Sequence, residues 1–256
     1  MTAPGVDAGP FDLAPRGAAN GSAVLCLHGL TGTPYEVRPL AEALAARGVR
    51  ARGPLLAGHG ESPEALARVA YTDWLDCVRA EVVALRREHE RVFVCGLSLG
   101  GLLTLWLAAN QAVDAAAAIG TPLRFGRAVP LAIALGRFVR PMLPKARGSD
   151  IADEAARERH PSMRVMPTAS VHQLIRLQRV VRRSLRDVRA PLLIAHGALD
   201  RTAKPANLEA IASAVSSTRI ERLELEASAH VVPVDRDGPH LCAAVADFFT
   251  SAHAPA

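Results

Sequence analysis

The chain has 256 residues, half of them hydrophobic and 21% charged, so it can bury a large core and is poorly suited to intrinsic disorder. A net charge of +5 is too small a surplus at this length to argue for a nucleic-acid partner. Four widely spaced cysteines, Cys26, Cys77, Cys95 and Cys242, form no CxxC and disfavour both a metal site and a disulfide framework.

Met1–Ala23 is rich in Gly, Ala and Pro and lacks a basic region followed by an apolar run, so it does not look like a signal peptide and a cytoplasmic protein is expected. The run Ala23–Leu27 before His28-Gly29 suits a strand buried on both faces. Val37, Leu40, Ala41 and Leu44 then fall on one helical face, with Gly48 as the stop. A short strand near Val49–Arg52 follows, then a loop with Gly58-His59-Gly60 and a helix through Trp74, Leu75, Val78, Val82 and Leu85. Arg91–Cys95 reads as a strand, Gly96-Leu-Ser-Leu-Gly100 as a sharp turn, and Gly101–Ala109 as a buried helix. Further strands are predicted over Asp114–Ile119, Pro191–Ala195 and Ile220–Leu225, and a closing helix over Leu241–Phe249. The longest apolar stretches, Ala115–Ile119 and Ala128–Leu135, are far shorter than the roughly 20 residues of a membrane-spanning helix.

This alternation implies an α/β fold, a mainly parallel sheet flanked by helices, with function at the C-terminal ends of its strands. It stops between Leu123 and Val188, which reads as several helices. The expected division is a core of residues 1–122 and 190–256 with residues 123–189 inserted as a small helical cap. Between Arg124 and Arg189 fifteen basic residues face five acids, so this segment is electrostatically distinct. That surplus could attract anionic lipid surfaces or acidic substrates, although a solvated helical face explains it more simply. Its apolar residues Val129, Leu131, Ile133, Leu135, Phe138, Val139, Met142 and Leu143 either line a pocket or pack the cap to the body.

Gly96-Leu97-Ser98-Leu99-Gly100 matches GxSxG, and it lies between a predicted strand and a predicted helix. There a tight turn forces the serine into a strained, exposed conformation, and small residues at ±2 let the helix pass close to the strand. A serine hydroxyl needs a base, and the base needs a third group to fix its tautomer. His230, just after the last strand and among small neighbours, is the favoured base of nine histidines. His240 reads as a surface residue opening the last helix, while His28 and His196, each before a Gly, read as partly buried hydrogen-bonding residues. Asp200, in the loop after the strand ending at Gly197, is the favoured acid. Asp235 and Asp237 rank lower because Arg236–Pro239 looks like an exposed turn. The N–H groups of Leu99 and Leu30 are the predicted oxyanion donors.

His28-Gly-Leu-Thr-Gly-Thr-Pro34, Gly58-His-Gly60, Gly96-Leu-Ser-Leu-Gly-Gly101, His196-Gly-Ala-Leu-Asp200 and Ser228-Ala-His230 together resemble the bacterial carboxylesterase/monoacylglycerol lipase group of α/β-hydrolases. The similarity spans about Val24 to Phe249. It implies Ser98 as nucleophile with Asp200 and His230 as partners, Leu30 and Leu99 as oxyanion donors, a cap over an acyl pocket, and no cofactor. Leu30 stands where this group often has Phe, which changes the pocket wall but not the N–H. The expected activity is hydrolysis of short- to medium-chain carboxylic esters, monoacylglycerols among them, through an acyl-enzyme. A thioesterase, a cofactor-free perhydrolase or a carbon–carbon bond hydrolase would keep the same triad, and a non-catalytic acyl-ligand receptor would be expected to have lost part of it.

Overall fold

The computed structural model describes residues 6–126, 128–136 and 139–251. In chain order these form β1 (Phe11–Leu13), β2 (Ser22–Leu27), α1 (Arg38–Ala45), β3 (Arg50–Gly53), α2 (Pro63–Arg68), α3 (Tyr71–Glu88), β4 (Arg91–Leu97), α4 (Leu99–Asn110) and β5 (Ala115–Ile119). Then come α5 (Val129–Gly136), β6 (Met142–Pro144), α6 (Glu154–Arg159), β7 (Val165–Pro167) and α7 (Thr168–Ser184). The chain closes with β8 (Leu192–Gly197), α8 (Asn207–Ala212), β9 (Ile220–Leu225) and α9 (Gly238–Ser251).

Among the described residues the main sheet has the order β1-β3-β2-β4-β5-β8-β9. All its pairings are parallel except β1 with β3. Its central strands are largely apolar because helices cover both faces, and side chains alternate between them with period two. Leu25 and Leu27 of β2 and Val92 and Val94 of β4 join α3, α4 and α7 in one core. Val24, Cys26, Phe93 and Cys95 meet α1 and α9 in the other. Cys26, Cys95 and Cys242 are buried there as free thiols, and Cys77 is half-buried.

Register aligns the strand ends that matter. Leu27 of β2 pairs with Gly96 of β4, Leu97 with Ile119 of β5, and Gly197 of β8 with Leu225 of β9. The turns beginning at His28, Ser98, Ala198 and Glu226 therefore emerge at one edge.

Several expectations need correction. β1 was not foreseen; it is held because Asp12 pairs with both Arg50 (2.9 Å) and Arg52 (3.0 Å) of β3. The segment between β5 and β8 is not only helical, since β6 and β7 pair antiparallel within it. Of its apolar residues Leu131, Leu135 and Val139 are 64%, 65% and 81% exposed and do not pack down, while Ile133, Met142 and Leu143 are half-buried. Phe138 lies outside the described residues. α7 is amphipathic, burying Leu174, Leu177 and Val181 against the body, where it packs on α2, α3 and α4. Among the described residues no helix is long and apolar enough to cross a membrane.

Candidate active site

Ser98 sits between β4 and α4 with φ 56° and ψ −110°, a left-handed conformation that a non-glycine residue enters at a cost of about 1–3 kcal/mol. The turn is so tight that a Cβ on Gly100 would overlap the Leu27 carbonyl, and one on Gly96 the Gly100 carbonyl, which is why both flanking positions are glycine. The Ser98 N–H donates to Ile119 O (2.9 Å) across the sheet, so the strained residue is anchored from its neighbour strand.

His230 lies beside that anchor. A Cβ on Gly120, the residue after Ile119, would come within 3.4 Å of His230 Nδ1. His230 Nδ1 donates to Asp200 Oδ2 (2.7 Å), which fixes the tautomer and leaves Nε2 as the proton acceptor. No hydrogen bond joins Ser98 Oγ to His230 among the described residues. In proteins without substrate such contacts are often long and tighten on binding.

Asp200 is buried, and burial pushes its carboxyl pKa up. The charge of His230, contacts from His196 and His230, and the Ala203 N–H outweigh that and hold it well below the usual carboxylate range. Its Oδ1 accepts from the N–H groups of Thr202 (2.8 Å) and Ala203 (2.7 Å). For His230 burial disfavours the charged form, but the Asp200 charge and hydrogen bond win, and its pKa lies above the ordinary imidazole value. His196 is fully buried rather than partly so: its Nε2 meets Ala203 O at 2.7 Å and lies 3.1 Å from Asp200 Oδ2, so it braces the acid. Asp235 does not lie in an exposed turn. It is buried and accepts from the N–H groups of Ala152, Asp153 and Ala229, tying the His230 loop to the inserted segment. Asp237 accepts from Ala227 N–H (2.9 Å), and His240 is exposed on α9.

The loop after β2 is built to aim one N–H. His28 is wholly buried; its Nε2 accepts from Leu56 N–H (3.1 Å), so its proton is on Nδ1, which donates to Gly29 O (2.9 Å). Gly32 N–H donates to the same oxygen (3.2 Å). That carbonyl belongs to the trans peptide carrying the Leu30 N–H, so anchoring the oxygen points the N–H the opposite way. Among the described residues neither Leu30 nor Leu99 gives its N–H to a turn or loop hydrogen bond. For Leu99 the preceding carbonyl is taken by Leu102 N–H (3.1 Å), which directs its own N–H out of the helix start. A Cβ on Gly29 would be 3.5 Å from Ser98 Cβ, so this loop lies against the serine. His59 meets the His28 ring edge-on at 4.8 Å, and burial together with the His28 charge drives its pKa down to about 3.

Sequence reasoning missed the residues beneath that loop. Glu36 is buried and accepts from Gly29 N–H (2.7 Å), while its Oε1 lies 3.0 Å from His160 Nε2 in the inserted segment. Burial raises its pKa, but contacts with His160, the charge of His28 and the Gly29 N–H outweigh this and bring it to about 2. Lys145 Nζ donates to Thr31 Oγ1 (3.2 Å) and Ser162 Oγ (3.0 Å). Asp150 accepts from Arg201 N–H (2.9 Å) and Thr202 N–H (3.1 Å), and its carbonyl accepts from His230 N–H (2.9 Å), so one residue clamps the Asp200 and His230 loops. No local pattern announces contacts of such long sequence separation. Beside Thr31 a cleft of about 800 Å³ opens between this loop and the inserted segment. Among the described residues no three His, Cys, Asp or Glu converge as a metal site would require.

Sheet order, strained serine turn and flanking helices define an α/β-hydrolase fold. The sequence profile of the Hydrolase_4 family, described as serine aminopeptidase S33, matches residues 18–237, and the chain belongs to that family. It is 36% identical over 229 residues to the thermostable monoacylglycerol lipase of Bacillus sp. (strain H-257), covering 88% of this chain and 89% of that one. The structure reported for the metagenome-derived lipolytic enzymes LipS and LipT matches with TM-score 0.88 at 30% identity, over 98% of this chain and 100% of that one. The monoacylglycerol lipase of Paleococcus ferrophilus matches in fold with TM-score 0.80 at 17% identity, over 95% and 99% of the two chains.

Proposed function

We propose that this protein hydrolyses carboxylic esters of short or medium acyl chain, monoacylglycerols among them, by a serine acyl-enzyme mechanism. Ser98 Oγ attacks the ester carbonyl while His230 Nε2 takes its proton, and Asp200 stabilises the imidazolium. The N–H groups of Leu30 and Leu99 receive the oxyanion, a term typically worth about 10² to 10³ in rate per donor. His230 returns the proton to the departing alcohol, then activates a water that releases the acid. The observation that carries this reading is a left-handed Ser98 beside a His230 whose Nδ1 is locked on Asp200 at 2.7 Å. The names of the relatives support the ester as substrate.

On this reading residues 123–189 are the cap over the site. Leu131, Leu135 and Val139, exposed on and just after α5 in an Arg-rich segment, suit weak contact with an anionic lipid surface. The family's description favours a second reading, cleavage of a peptide amide at a free N-terminus. A substrate ammonium needs a carboxylate host, whereas cations outnumber carboxylates in the cleft beside Thr31, so the ester reading stands ahead.

Turnover of p-nitrophenyl butyrate against alanine p-nitroanilide tests both. The expected result is ester hydrolysis that Ser98→Ala abolishes. Wild-type turnover by that variant, or cleavage of the anilide alone, overturns the proposal. Profiling p-nitrophenyl esters from C2 to C16 then sets the chain length.

A further inference from the structure

The cleft beside the oxyanion loop has one wall from Thr31–Thr33 and the other from residues 145–149 and 157–164. Five cations line it, Lys145, Arg147, Arg157, Arg159 and Arg164, against two carboxylates, Glu61 and Glu158. Arg157 pairs with Glu154 at 3.3 Å, but Arg147, Arg159 and Arg164 make no ion pair among the described residues. Lys145 is more telling because it is half-buried. Its two hydrogen bonds go to neutral hydroxyls, and no carboxylate among the described residues reaches salt-bridge distance of it. Withdrawing an ammonium from water without a counter-ion is costly, and burial lowers its basicity despite the more distant charge of Glu36. Ser149 and Ser162, in contact at 2.9 Å, add hydroxyls to the same wall.

A compact ammonium, unpaired guanidinium groups and hydroxyls in one concavity are the donor set that recognises an oxyacid anion. The volume, about 800 Å³, is that of a small-molecule site. Its position gives the anion a role: Thr31 lines the cleft and is bonded to Lys145, and it follows directly on Leu30, the proposed oxyanion donor. We propose that this cleft binds a phosphate or carboxylate group carried by the substrate ester, so that the protein selects anionic esters over neutral ones. The inference rests on the ester hydrolase reading for its role, but not for the existence of the anion site.

The test compares kcat/KM within two substrate pairs of matched length. One is mono-4-nitrophenyl adipate against 4-nitrophenyl hexanoate, with the anion on the acyl side; the other is 1-butyrylglycerol 3-phosphate against 1-butyrylglycerol, with the anion on the alcohol side. The anionic member of at least one pair is expected to lead by about tenfold at low salt, an advantage that shrinks as salt screens it. The ratio should fall toward one in Lys145→Met and in the double variant Arg147→Gln/Arg164→Gln, whose two positions are exposed and safe for folding. Equal or inverted preference in both pairs, or a preference that survives both variants, overturns the proposal. Calorimetric titration of Ser98→Ala with inorganic phosphate and with glycerol 3-phosphate separates the sources. Tighter binding of glycerol 3-phosphate, lost when Lys145→Met is added, supports a substrate group; equal binding marks a free-anion site and contradicts the substrate role. Lys145-dependent phosphate binding in a protein that turns over none of the four esters would uphold the anion site and reject the ester reading.

Discussion

His230 and His160 are both held against a carboxylate away from solvent, yet their surroundings set them to different work. His160 Nδ1 bonds to Ser149 Oγ at 2.6 Å, and its Nε2 faces the Glu36 carboxylate at the ion-pair distance of 3.0 Å. It joins the inserted segment to the loop that aims Leu30. His230 has only Nδ1 engaged, at 2.7 Å from Asp200, and its Nε2 has no hydrogen-bond partner among the described residues. The comparison teaches that, on the proposed mechanism, the histidine that serves as base is the one whose second nitrogen faces a strained serine and not a carboxylate. The His160 pair, set between Ser149 and Glu36, instead fastens two segments together.

Experiment can break that contrast. Ser98→Ala should lower kcat by about 10⁶, and Asp200→Asn by about 10⁴, because the amide favours the wrong His230 tautomer. A loss under tenfold for Asp200→Asn in steady-state kinetics would mean that the His230 pair is itself structural. Glu36→Ala should act mainly on stability, costing about 3 kcal/mol or more in denaturant unfolding because it strips a buried pair of one partner. It should also lower kcat more than it raises KM, since Gly29 N–H loses its acceptor and the Leu30 peptide its bracing.

Acid titration distinguishes the pairs next. Glu36 titrates at about 2 instead of the usual 4.5, so its folded form binds its proton less readily than the unfolded chain does. The stability it contributes, about 3 kcal/mol, is complete above the unfolded value and disappears as pH falls from about 4.5 toward 2. Glu36→Gln should flatten that part of the stability curve, and an unchanged slope would remove Glu36 from the account. The His230 pKa is raised, and the base must be neutral, so the acid limb of kcat/KM should lie above pH 6.5. The smallest effect is expected at α5: Leu131→Ser should change unfolding free energy by less than about 0.5 kcal/mol in solution, because the side chain is exposed.

The same contrast explains what could be read from sequence. β2, β4, β5, β8, α3 and α4 announce themselves as apolar runs or helical faces, and Ser98 by a motif set between two of them. Asp200 and His230 follow from chain order and from their places after strands. β1, β6 and β7, three residues each, are too short to carry a period. Glu36 and His160 are separated by over a hundred positions and meet only because the inserted segment folds back on the oxyanion loop. Asp150 and Asp235 look like ordinary surface acids until backbone N–H groups from distant loops are seen to converge on them.

The most direct measurement is labelling with a fluorophosphonate followed by peptide mapping. A single stoichiometric adduct on Ser98, slowed markedly in Asp200→Asn and absent in His230→Ala, is the predicted result. An adduct on another serine, or full ester turnover by protein that takes no label, would contradict it.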